Sequence, residues 1–135
     1  MAKMYGELAM FAGRSNRPLA EKICKHLHVP LDEADGFDCP NENIFIQLKC
    51  SVRGQDVFLI QSLTSPVNRN IVELLIFLDA LKRASAGRIT VVIPFYAYGR
   101  SDKKDQPRVP ITARLLADLI SVAGANRYMT IETGE

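Results

Sequence analysis

The chain is short of the residues from which most metal and redox sites are built. Its three cysteines, Cys24, Cys39 and Cys50, form no Cys-x-x-Cys pair, and an odd number leaves at least one unpaired within the chain. Reduced thiols point to a cytoplasmic compartment. The two histidines, His26 and His28, stand just before Pro30, a place for solvent-facing residues at the end of a first helix. No apolar run approaches the roughly 18 residues that a membrane span requires, and the N-terminus lacks the apolar segment and cleavage site of a signal peptide. No membrane association is expected. Charge of one sign is scarce too: 17 Lys and Arg against 15 Asp and Glu leave +2, too little for the basic face of a nucleic-acid binder. Any anion site must be local. Neither internal repeats nor a low-complexity linker divides the 135 residues, and a hydrophobic content of 47% suffices for one core.

Strand and helix patterns alternate along the chain. Leu8 to Phe11 is a short apolar run ending at Ala12-Gly13, a strand and a turn. Leu19, Ile23 and Leu27, with Ala20 and Cys24, fall at helical spacing; Asn16 or Ser15 can cap this helix, Pro18 fits its first turn and Pro30 stops it. Ile44, Ile46 and Leu48 alternate with Phe45, Gln47 and Lys49 as a half-buried strand does. Asp56 to Gln61 predicts a buried strand. Ile71, Leu74, Leu75, Leu78 and Leu81 line one face of a helix over Asn70 to Ala84, with its charges elsewhere. A buried strand over Arg88 to Ile93, a helix over Thr112 to Ala123 capped by Thr112, and a strand over Arg127 to Ile131 complete the pattern. This order predicts an α/β fold, a mostly parallel sheet with helices on both faces. Ligands gather at the carboxyl ends of such strands, where Ala12 to Ser15, Ser62 to Asn70 and Pro94 to Pro107 are expected. The chain stops at Glu135, just after a strand and without a returning helix, as part of a longer protein would.

Between Pro94 and Pro107 a buried strand turns into an aromatic, glycine-containing, charged loop, with Arg100, Lys103, Lys104 and, just beyond, Arg108 interleaved with Asp102 and Asp105. Cations mixed with carboxylates suit phosphate oxygens and a hydrated cation together; a solvated charged turn is the plain alternative.

Several motifs then agree in order and spacing: Phe11-Ala-Gly-Arg-Ser-Asn16, Ser51-Val-Arg-Gly54, Pro66-Val-Asn-Arg-Asn70, Glu73-Leu-Leu-Ile76, Ala80-Leu-Lys-Arg-Ala-Ser85 and Pro94 to Lys104. Together they closely resemble the amino-terminal domain of ribose-phosphate pyrophosphokinase (phosphoribosyl pyrophosphate synthetase). The resemblance implies a phosphoribosyltransferase-like, Rossmann-like three-layer fold over residues 1–135, with the carboxy-terminal ribose-5-phosphate domain absent. It implies a Mg-dependent enzyme of nucleotide biosynthesis that transfers pyrophosphoryl from ATP to ribose 5-phosphate, working as a homo- or hetero-oligomer, a hexamer in the family. At the ATP site Arg100 would fork across phosphate oxygens, Ser101 would follow it, and Lys103 and Lys104 would offset phosphoryl charge. Tyr96 or Tyr98 could flank the base. Asn41 matches a loop residue that approaches adenine in a neighbouring subunit's site. Ser51, Arg53, Asp105 and Arg108 match a regulatory anion site at a subunit interface.

The departures from the family pattern fall on the same site. Glu132 and Gly134 stand where the family has the aspartate and histidine of an Asp-Leu-His motif, leaving Glu132 as the one candidate metal ligand. Cys39 replaces a stacking phenylalanine, for which Phe37 could substitute; Asn43 replaces a glutamate, and Ser101 a glutamine. These exchanges raise an alternative: a non-catalytic homologue that assembles with active subunits and regulates them. A free-standing nucleotide-binding domain is a third reading.

Overall fold

The computed structural model describes residues 6–95, 107–108 and 110–132, the last two by backbone alone. Four parallel strands form the central sheet: β1 (Leu8–Ala12), β4 (Asp56–Ile60), β5 (Arg88–Phe95) and β6 (Arg127–Glu132), adjacent in that order. The pairings Phe11↔Leu59 and Leu59↔Val91 put one apolar row across three strands. That row faces α2 (Val67–Arg83) and α3 (Thr112–Ala123), whose Phe77, Leu78, Leu81, Leu116 and Ile120 are buried against it. The Phe11 and Phe77 rings meet edge to face at 5.8 Å, the geometry an aromatic quadrupole favours. On the opposite face Met10 and Ile60 pack under Ala20 and Cys24 of α1 (Arg17–Leu27). The expected parallel α/β fold, with helices on both faces, is what the chain forms. All three cysteines are free, and among the described residues no helix is long and apolar enough to cross a membrane.

The ends of the elements follow local chemistry. Asn16 caps α1, its Oδ1 accepting from the Leu19 N–H at 3.4 Å, and Pro18 sits in the first turn. The helix closes at His28, left-handed at φ 59°, two residues before the proline expected to stop it. At α3 the sequence favoured Thr112 as the cap, but Thr112 is the first helical residue and Ile111 precedes it with no side-chain cap. α2 starts at Val67, three residues early, after Pro66.

One strand was not expected. Ala34-Asp-Gly-Phe-Asp38 has the glycine and acidic residues that strands disfavour, yet it forms β2 (Ala34–Asp38) and pairs antiparallel with β3 (Ile44–Leu48). Cross-strand partners supply what propensity withholds. Phe37 stacks on Phe45 at 4.9 Å, and Lys49 bridges Asp35 at 2.9 Å. The strand read at Ile44 to Leu48 therefore belongs to a separate hairpin, not to the parallel sheet, and Ala34, Ile46 and Leu48 lay the hairpin's inner face on the α2 side of the core.

Leu78 is fully buried between α2 and the sheet, while Val122 on α3 is 75% exposed. Leu78→Ala should cost about 2–5 kcal/mol of unfolding free energy and Val122→Ser no more than about 0.5 kcal/mol, both read from urea denaturation midpoints. Equal effects would contradict this packing.

Candidate functional site

The carboxyl end of the sheet carries a cluster of polar side chains built around one buried carboxylate. α2 turns Asn70, Glu73, Leu74, Phe77, Leu78 and Leu81 to the core, a single stripe at helical spacing in which the first two members are polar. Glu73 is 0% exposed. A buried charge is tolerated only when it is paired and hydrogen-bonded, and Arg14 supplies both. Its backbone N–H donates to Glu73 Oε2 and its Nε to Oε1, each at 2.7 Å. Gln61, the residue after β4, donates through Nε2 to the same Oε2 at 3.4 Å and to the Asn70 carbonyl at 3.3 Å. Its Oε1 accepts from Ser15 Oγ at 2.6 Å and from the Ser15 N–H at 3.2 Å.

Gly13 makes this approach possible. Its N–H donates to the Ile60 carbonyl at 2.9 Å, and a Cβ added at Gly13 would collide with the Gln61 amide. The constraint is space, since the Gly13 backbone is ordinary extended chain at φ −73°. On the α2 side the loop from Ser62 is closed by Asn70 Nδ2, which donates to the Thr64 carbonyl at 2.9 Å.

Arg14 also reaches outward. Its Nη2 donates to Asp38 Oδ1 at 2.8 Å, and Arg69 Nη1 lies 3.5 Å from Asp38 Oδ2. Charges thus alternate along Glu73, Arg14, Asp38 and Arg69. The hydrogen bond from Arg14, aided by its charge and that of Arg69, holds the Asp38 carboxyl below its ordinary pKa. Burial works against the Arg14 cation, but its bonds to Asp38 and Glu73 outweigh that and raise its pKa. Arg69 Nε is buried without an acceptor among the described residues. Beside the cluster, Arg14, Arg17, Gly36, Ile46 and Phe77 help to line a cleft of about 200 Å³. A larger apolar cleft of about 310 Å³ opens beneath α1, between Met10, Ile23, Leu27 and Met129, and has no polar group with which to orient a substrate.

The residues singled out from the sequence fall in three places. Asn41 is exposed in the turn Cys39–Asn43 that joins β2 to β3, and its Oδ1 accepts from the Asn43 N–H at 3.2 Å. Ser51 and Arg53 precede β4, at the amino end of the sheet, where Ser51 Oγ accepts from the Arg53 N–H at 3.4 Å and Arg53 bridges to Ala86. Arg108 is exposed and left-handed at φ 60°, and it follows β5, which leaves the carboxyl end. Arg53 and Arg108 therefore flank opposite ends of the sheet within one chain. Arg100, Ser101, Lys103, Lys104 and Asp105, with Tyr96, Tyr98 and Gly134, lie outside the described residues. Glu132 closes β6 opposite Phe95, and its side chain is likewise outside them.

Among the described residues no group of three His, Cys, Asp or Glu side chains could hold a metal ion. Within the described cluster the carboxylates of Glu73 and Asp38 are both taken by Arg14. These residues do not by themselves fit a resident magnesium ion. His26 and His28 are exposed, as expected.

Sequence reasoning missed Glu73, Gln61, Asp38 and Arg69 as site residues and placed the charges of α2 away from the core. A signal was present: Asn70 and Glu73 each stand four residues before an inward-facing apolar residue, Leu74 and Phe77, so the inward stripe could not avoid them.

A family model described as the N-terminal domain of ribose phosphate pyrophosphokinase matches residues 8–124. Ribose-phosphate pyrophosphokinase of Agrobacterium fabrum is 49% identical over 125 residues, 93% of this chain and 40% of the relative. That of Rhodopirellula baltica is 50% identical over 126 residues, again 93% and 40%. A crystal structure of phosphoribosylpyrophosphate synthetase from Mycobacterium smegmatis superposes with a TM-score of 0.92 at 45% identity, covering 95% of this chain and 43% of that one. The chain spans about 40% of the length of the curated relatives it matches. These relatives are named as the pyrophosphokinase, which does not favour a regulatory homologue. By its motifs, its fold and a match over most of its length, the chain belongs to the family of ribose-phosphate pyrophosphokinase N-terminal domains.

Proposed function

We propose that this chain, as one domain over residues 1–135, supplies the ATP side of a ribose-phosphate pyrophosphokinase, whose ribose 5-phosphate is held by a second, carboxy-terminal part. The observation that carries the reading is the family match over residues 8–124, on a sheet whose strand β5 delivers the chain at Phe95 to the carboxyl end, beside the Arg14, Gln61 and Glu73 cluster. The Leu63 N–H donates to the Phe95 carbonyl at 2.9 Å, tying the two strand ends together.

In the reaction, the ribose 1-hydroxyl attacks the β-phosphorus of ATP. A bond from that oxygen to the β-phosphorus forms as the bond from the β-phosphorus to the α,β-bridging oxygen breaks and the hydroxyl proton is released to water, giving phosphoribosyl pyrophosphate and AMP. Magnesium, when bound with the nucleotide, would supply charge neutralisation of the phosphates. Glu132, which stands at the aspartate position of the family's Asp-Leu-His motif, is the residue of this chain that would help to hold it. Arg100 holds phosphate oxygens with Ser101 beside it, and Lys103 and Lys104 balance charge on the transferred group. Asn41, at the tip of the hairpin, serves the adenine of a neighbouring subunit in a hexameric, homo- or hetero-oligomeric assembly. Ser51, Arg53, Asp105 and Arg108 line a regulatory anion site at a subunit interface. A cytoplasmic setting accords with three free cysteines.

Calorimetric titration with Mg-ATP should give measurable binding to this chain and at least tenfold weaker binding to Arg100→Ala, since a hydrogen bond to a charged group contributes roughly 1.5–3 kcal/mol. Equal affinities would remove Arg100 from the site. With ribose 5-phosphate added, these 135 residues alone should release no AMP; turnover would refute the need for a second part.

A further inference from the structure

The β2–β3 hairpin forms no ladder with the parallel sheet. Its inner face rests on α2 through Ala34, Ile46 and Leu48, but toward its tip Phe37, Asn41, Glu42, Asn43 and Phe45 are all exposed. On the inner face next to the turn, Asp38 stands opposite the half-buried Ile44. Charge also reaches the turn. Asp38 is the last residue of β2, immediately before the Cys39–Asn43 turn, and both of its carboxylate oxygens are engaged, one by Arg14 at 2.8 Å and the other by Arg69 at 3.5 Å. Arg14 is itself fixed by the fully buried Glu73, which accepts its backbone N–H and its Nε at 2.7 Å. A planar guanidinium with several donors can hold two carboxylates at once in a defined geometry.

We infer that Arg14 is a positioning residue: it transmits the buried Glu73 anchor through Asp38 to the hairpin turn, and so fixes Asn41 relative to the carboxyl end of the sheet. Lysine cannot do this, because a single ammonium on a flexible stem lacks the fork that spans both carboxylates. The consequence for nucleotide binding rests on the ATP-side reading above; the mechanical coupling does not.

Hydrogen exchange on the full chain tests the coupling without nucleotide. The reporters are the Cys39 N–H, which donates to the Asn43 carbonyl at 2.6 Å, and the Glu42 N–H, which donates to the Cys39 carbonyl at 2.8 Å. In Asp38→Asn, which leaves the Arg14–Glu73 pair intact, exchange at both should rise about tenfold while the β4 and β5 amides keep their protection. Arg14→Lys should give a similar rise at the turn. Unchanged turn protection in Asp38→Asn overturns the inference, as does full rescue by lysine. Mg-ATP affinity is then measured on the same proteins. Weaker binding by Asp38→Asn in the assembled protein, in step with the loosened turn, supports the consequence for nucleotide binding; a loosened turn with unaltered affinity refutes that consequence and leaves the coupling standing. If the wild-type chain binds no Mg-ATP, the ATP-side reading fails, and the exchange data still decide whether Arg14 holds the hairpin.

Discussion

A carboxylate with no access to water has to be neutralised where it stands, and Glu73 places that demand on three parts of the chain at once. It draws the backbone and side chain of Arg14 over the end of β1, and the amide of Gln61 at the end of β4, onto the first turns of α2. Removing one member of such a buried pair strands the other, at a cost of roughly 3–5 kcal/mol, so the arrangement resists piecemeal change. The same demand explains Gly13. Only a residue without a Cβ lets the Gln61 amide close on the loop, and that amide in turn fixes Ser15.

The cluster joins two parts that the core would leave loosely related. The parallel sheet and its helices are held by apolar burial, which is strong but does not specify direction. The hairpin has only its inner face in that core. A hydrogen bond from Arg14 and an ion pair with Arg69 hold Asp38 and add the direction that burial lacks, and they act at the base of the turn where Asn41 sits. Stability and placement are thus supplied by different interactions. On the proposed ATP-side reading that division matters, because phosphoryl transfer leaves a protein little covalent work beyond orientation and electrostatics.

Topology also distributes the proposed functions. Parallel strands put all their carboxyl ends on one side, which gathers Arg14, Gln61 and Asn70 with the exit of β5. The Ser51–Arg53 turn lies at the other side, packed against the turn that follows α2, where the Gly54 N–H donates to the Ser85 carbonyl at 2.8 Å.

The sequence by itself determined the alternation of strands and helices, the apolar rows of β1, β4 and β5, a polar cap of α1 at Asn16 or Ser15 and the family, because these rest on local periodicity, capping chemistry and ordered motifs. Even the burial of Asn70 and Glu73 was written in the stripe of α2. The tertiary structure alone decided which partners those polar groups would find. Arg14 and Glu73 are 59 residues apart, and nothing in the spacing of either announces the other. It also made a strand of Ala34 to Asp38, whose own residues argue against one, because Phe45 and Lys49 stand across from it. Propensity and periodicity act over a few neighbours, whereas a buried charge and a cross-strand pair are satisfied by whatever the fold brings within about 3 Å.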